Sequence, residues 1–109
     1  MQYTHLGRSG VAVSRLCLGT MNLGVTVDER ESLAIMDRAL ELGINFFDTA
    51  DVYSNGASEE VLGKALREIG VDRDDVVIAT KCNGGTHNRA RNRFGLSRKN
   101  VLESCDAAA

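Results

Sequence analysis

Ile44-Asn45-Phe46-Phe47-Asp48-Thr49-Ala50-Asp51-Val52-Tyr53 is the stretch on which the reading of the fold turns. Its first five residues read as a short strand that ends on a carboxylate. A second such run, Val76-Val77-Ile78-Ala79-Thr80, ends at Lys81, and a third, Leu16-Cys17-Leu18-Gly19, precedes both. Short continuous apolar runs are expected of strands buried on both faces. The segments between them have helical spacing. From Asp28 to Leu42, Leu33, Met36 and Leu40 recur on one face, Asp28 caps with Glu31 three residues on, and Gly43 supplies the stop. After Tyr53, Ser58 is the expected cap of a second helix, with Glu59 and Glu60 favourably placed for the helix dipole. Val61, Leu62, Ala65, Leu66 and Ile69 form its buried stripe, and Gly70 ends it. A last helix is predicted after Ser97, carrying Val101, Leu102 and Cys105. Three strand–helix alternations argue for an α/β fold with a parallel sheet and right-handed crossovers. Residues 2–14 read as an antiparallel hairpin turning at Gly7-Arg8-Ser9-Gly10.

The 109 residues are enough for one modest domain with a real core. A net charge of −2 favours neither nucleic acid nor an anionic membrane as partner. No apolar run approaches the roughly 20 residues of a membrane span, and the N-terminus lacks a signal-peptide pattern. The sequence therefore predicts a cytoplasmic protein. Cys17, Cys82 and Cys105 are odd in number and show no C-x-x-C spacing, which gives no support to zinc or redox-motif chemistry. Cys17 and Cys105 are expected to be small buried hydrophobes, and Cys82, beside Lys81, a reduced structural thiol.

The chemistry gathers at the strand ends. In a barrel of β/α units, the loops after the strands form the active-site face. There Asp48 and Lys81 would bring opposite charges together on neighbouring strands, and Tyr53 would reach back over the same rim. Taken singly, Asp48 reads as a loop cap and Lys81 as a lysine reaching solvent. Taken together they form a general-acid device, because a nearby ammonium stabilises phenolate and a phenol can give a proton to an oxygen gaining negative charge. There is no G-x-G-x-x-G and no P-loop sequence, so a nucleotide would have to bind another way. His87 reads as a solvated loop histidine, and with no second ligand at metal spacing no metal is expected. His5 has no partner in view. Arg89, Arg91, Arg93, Arg98 and Lys99 form a basic cluster around Phe94, read as a basic loop first and a contact for an anionic cofactor or substrate second.

Asp48-Thr49-Ala50-Asp51-Val52-Tyr53-Ser54-Asn55-Gly56-Ala57-Ser58-Glu59-Glu60 resembles the aldo-keto reductase signature. Gly43 to Phe47, Leu62-Gly63-Lys64-Ala65-Leu66, Leu6-Gly7-Arg8-Ser9-Gly10, Leu18-Gly19-Thr20-Met21 and Ala79-Thr80-Lys81 resemble that family too, in order, over residues 3–106. The resemblance implies a (β/α)8 TIM barrel with an N-terminal hairpin, and NADP(H)-dependent reduction of an aldehyde or ketone, a small-molecule carbonyl substrate, to an alcohol. It makes Tyr53 the proton donor, Lys81 the group that acidifies it and Asp48 the residue that holds Lys81. Gly19, Thr20 and Met21, with Asp48, would lie near the nicotinamide. A full barrel needs about 250 residues. The expectation is thus a single partial domain, with residues 1–14 as hairpin and 15–109 as the first three β/α units. The family's histidine follows a fourth strand, and His87 does not match it. The chain alone is expected to be inactive; the alternative reading is a non-catalytic barrel fragment or interaction module that needs a partner chain.

Overall fold

Leu18, Phe47 and Ile78 are register partners across three parallel strands and pack into one apolar cluster. The computed structural model, which describes residues 1–84 and 90–108, runs β1 (Tyr3–His5), β2 (Ala12–Ser14), β3 (Leu18–Gly19), α1 (Glu29–Glu41), β4 (Phe46–Asp48), α2 (Ala57–Ile69), β5 (Val77–Ala79) and α3 (Arg98–Ala108). The sheet order is β3-β4-β5, and β1 and β2 form a separate antiparallel pair. Phe47 is fully buried, packed in one cluster with Met36, Leu62, Ala65 and Leu66. The helices α1 and α2 therefore cover the side of the sheet that this row faces. Truncating a buried phenylalanine to alanine costs about 3–5 kcal/mol, so Phe47 anchors the whole arrangement. Because side chains alternate along a strand, the next register row, Gly19, Asp48 and Ala79, faces the other way.

The helix signals act as the sequence predicts in α1, where the Asp28 carboxylate accepts from the Glu31 amide at 2.8 Å. They act differently in α2. Gly56, in the left-handed region at φ +95°, occupies the cap position without a side-chain bond, and Ser58 lies inside the first turn. The Ser58 hydroxyl is buried and donates to the Thr20 carbonyl at 2.6 Å. A tertiary acceptor thus replaces the local capping bond expected of Ser58.

The hairpin docks on the end of β4 remote from Asp48. Asn45 Oδ1 accepts from the Ser14 amide at 2.7 Å, its own amide donates to Ser14 Oγ, and its Nδ2 donates to the Ala12 carbonyl. The Tyr3 hydroxyl donates to the Gly43 carbonyl at 2.7 Å. Gly43 has φ +87°, and a Cβ there would sit 2.9 Å from both Met1 Cβ and the Tyr3 hydroxyl, so only glycine fits.

Three sequence expectations are corrected. The first strand is Leu18–Gly19, shorter than Leu16 to Gly19, and Cys17 is exposed. By alternation Cys17 belongs to the row opposite the helices, and no second layer covers that side among the described residues. Cys105 is exposed as well, with Val101 and Leu102. Ser97 does cap α3, accepting from the Asn100 amide at 3.1 Å. Buried Asn100 ties the helix to the loop through the carbonyls of Cys82 and Gly95. An apolar groove remains between α2, β5 and α3, lined by Leu66, Val76, Ile78, Val101 and Cys105. His87 and Arg89 lie outside the described residues.

Candidate active site

The carboxyl ends of β4 and β5 bring Asp48 and Lys81 together. Lys81 Nζ donates to Asp48 Oδ2 at 2.8 Å and to the Thr49 carbonyl at 2.8 Å. It also donates to the Tyr53 hydroxyl at 3.1 Å, with its charge 4.8 Å from the centre of the ring. All three residues predicted for the site therefore share one rim. The ammonium has three donors, and all three are taken. The hydrogen bond with Asp48, opposed in part by desolvation, holds Lys81 above its ordinary value of 10.5. The ammonium stays protonated throughout the neutral range.

Tyr53 reaches this position through an unusual turn. Residues Tyr53–Gly56 form a short 3-10 turn in which Ser54 (φ +50°) and Asn55 (φ +57°) adopt left-handed conformations before left-handed Gly56. Left-handed non-glycine residues cost of order 1–3 kcal/mol each and cluster at functional sites. Sequence reasoning passed over this turn, although the dipeptide Asn55-Gly56 is a turn signal. Val52, next to Tyr53, is exposed, and Gly84 of the loop after β5 lies against its side chain. A Cβ at Gly84 would lie 2.7 Å from Val52 Cγ1.

Beneath the rim a row of threonines continues the register on the helix side: Thr20, Thr49 and Thr80 follow the row Gly19, Asp48 and Ala79. Thr20 is fully buried, and both its amide (2.9 Å) and its hydroxyl (3.0 Å) donate to the Asp48 carbonyl. Thr80 donates to Glu59 at 2.5 Å. Thr49 Oγ1 is buried without a hydrogen-bond partner among the described residues.

Of the residues predicted to lie near a cofactor, Gly19 is paired with Asp48, and a Cβ built on it meets nothing within 4 Å. Met21 is 59% exposed. Thr20 offers no surface and supports the loop from behind. Within the basic cluster, Arg93 and Lys99 both pair with Glu103.

Comparison with known proteins accords with this geometry. The model of the Aldo/keto reductase family matches residues 15–109. An uncharacterized oxidoreductase, YrpG, of Bacillus subtilis is 53% identical over 85 residues, 74% of this chain and 26% of that protein. A versiconal hemiacetal acetate reductase of Aspergillus parasiticus is 39% identical over 130 aligned positions, covering 99% of this chain and 38% of its own length. The holo form of an aldo-keto reductase from Bacillus halodurans, AKR11C1, superposes with a TM-score of 0.83 at 38% identity, over 99% of this chain and 35% of that one. The chain spans about a quarter to two fifths of the length of these relatives. Its fold is the N-terminal portion of a (β/α)8 barrel, and the chain belongs to the aldo/keto reductase family.

Proposed function

We propose that this chain supplies the proton-donor half of an NADP(H)-dependent carbonyl reductase in the cytoplasm, acting on a small aldehyde or ketone. The observation that carries the proposal is the single ammonium of Lys81 shared between Asp48 and Tyr53. Reduction of a carbonyl leaves negative charge on its oxygen, and a positioned acid must neutralise it. Tyr53 accepts from Lys81, which leaves its own O–H to donate to that oxygen. As the proton leaves, the adjacent ammonium stabilises the phenolate. Asp48 fixes the ammonium in place and takes no part in the transfer. Solvent returns a proton to Tyr53 once the alcohol departs.

The residues suit a nicotinamide cofactor. Open space over Gly19, directly beside Asp48, would accept a flat ring, with Met21 as an apolar neighbour. The cofactor, when bound, supplies the hydride that goes to the carbonyl carbon. On this reading the 109 residues alone do not turn over, because the described residues hold three of the barrel's strands.

The test joins residues 1–109 to the part of the B. subtilis relative that lies beyond the matched quarter and follows carbonyl-dependent NADPH oxidation. Activity in the joined protein that disappears with Tyr53→Phe supports the proposal. Activity that survives Tyr53→Phe and Lys81→Met overturns it.

A further inference from the structure

Two side chains in the first turn of α2 reach the ends of β3 and β5, the strands that flank β4 and its Asp48. Ser58 is fully buried, donates to the Thr20 carbonyl at 2.6 Å and lies 3.3 Å from Thr20 Oγ1. Thr20 in turn donates twice to the Asp48 carbonyl. Glu59 accepts from Thr80 at 2.5 Å, and Thr80 immediately precedes Lys81. Tyr53 is joined to this same helical turn by three successive left-handed residues. Two rings of contacts thus close on the site. One runs from Tyr53 through Ser58 and Thr20 to Asp48, the other from Tyr53 through Glu59 and Thr80 to Lys81.

We propose that Ser58 and Glu59 are positioning residues, which fix the first turn of α2 against the ends of β3 and β5 and so set the separation of Tyr53 from Lys81. The proposal rests on the reductase reading for its meaning, but its geometry is measured separately. Their bonds go to Thr20 and Thr80, not to Asp48, Tyr53 or Lys81, and neither belongs to the apolar core cluster. The Ser58 bond is shielded from water, and its loss leaves the Thr20 carbonyl with the Leu23 amide, at 3.0 Å, as its donor and releases the tie to α2. The Glu59 bond is more exposed, yet it is the side-chain tie between α2 and the strand end that bears Lys81. Losing either bond lets the helix start drift, and a misplacement near 1 Å costs about a hundredfold in a proton-transfer site.

The experiment uses the full 109-residue chain carrying a labelled lysine, in wild type and in Ser58→Ala, Glu59→Ala and Glu59→Gln. Two quantities are read by NMR: the nuclear Overhauser contact between the Tyr53 ring and the Lys81 ε-methylene, and the Lys81 titration. The expected result is a strong contact in wild type that weakens at least twofold in both alanine variants, with the Lys81 midpoint falling only in part, because the bond with Asp48 that chiefly raises it remains. Glu59→Gln keeps an acceptor for Thr80 and restores both signals. Leu66→Ala, which loosens the same helix through the core, leaves both unchanged while folded. In the barrel-completed protein the alanine variants lower kcat about ten- to hundredfold with the carbonyl KM unchanged. A wild-type chain lacking the contact overturns the proposal, as do alanine variants that retain it, or Leu66→Ala matching them at equal stability. Loss of the contact together with a Tyr53→Phe enzyme that stays active would overturn the reductase reading and leave the positioning role standing.

Discussion

Lys81 donates to the hydroxyl oxygen of Tyr53 across 3.1 Å, so the phenol accepts on that side and its own hydrogen is available to a third group. In the barrel-completed protein, Tyr53→Phe keeps the ring and removes that hydrogen. Carbonyl reduction is expected to fall by about 100- to 10,000-fold, the usual contribution of a positioned acid. Tyr53 is only partly buried, so thermal unfolding should shift by no more than roughly 0.5 kcal/mol in free-energy terms. Steady-state kinetics beside calorimetry checks both halves.

Lys81→Met should separate activity from stability in the same way. The Lys81 and Asp48 side chains are 50% and 41% exposed, and ion pairs so well solvated contribute about 0–1 kcal/mol. Urea unfolding of the variant chain should therefore change little. Turnover in the completed barrel should be lost along with the ammonium.

The pH dependence has a definite sign. Lys81 is raised above 10.5 in the folded chain, chiefly by its bond with Asp48. Its contribution to stability is thus fully present below 10.5 and is lost as pH rises through the higher folded value. Unfolding monitored between pH 9 and 12 should show this loss in wild type. Asp48→Asn should flatten it and bring the Lys81 titration back toward 10.5.

The threonine row allows one substitution to act in opposite directions. Thr49→Val removes a buried hydroxyl that has no partner among the described residues. Relief of that desolvation should stabilise the chain by about 1 kcal/mol. Thr20→Val removes a donor to the Asp48 carbonyl and a neighbour of Ser58, and should destabilise by about 1–2 kcal/mol. Denaturant midpoints of the two variants decide the matter, and equal signs would contradict the hydrogen bonding described above.

The 109-residue chain by itself is expected to show no carbonyl-dependent NADPH oxidation. Phe46 and Val77 remain partly exposed, and among the described residues β5 has a strand neighbour on one side only. Stopped-assay measurements at high protein concentration provide the check.

The rim was legible because its signal is local: an apolar run ending on a charged residue places that residue at a strand end whatever the rest of the chain does. Asp48 and Lys81 needed only parallel pairing of their strands, which the strand–helix alternation implied. Ser58 was misread because the capping rule weighs only nearby amides, whereas the carbonyl of Thr20 lies 38 residues away in sequence. Cys17 and Cys105 were misread for a related reason: an apolar run does not reveal whether a second layer exists to cover it. The threonine row was present in the sequence as the residues just beyond Gly19, Asp48 and Ala79, but it becomes a row only through the register.

The left-handed passage at 54–56 leaves no slack between the phenol and α2. One added or deleted residue there would spin the helix about its axis by about 100°, carrying Ser58 and Glu59 away from their partners together. Any loop graft on this face should therefore keep the length of this segment fixed.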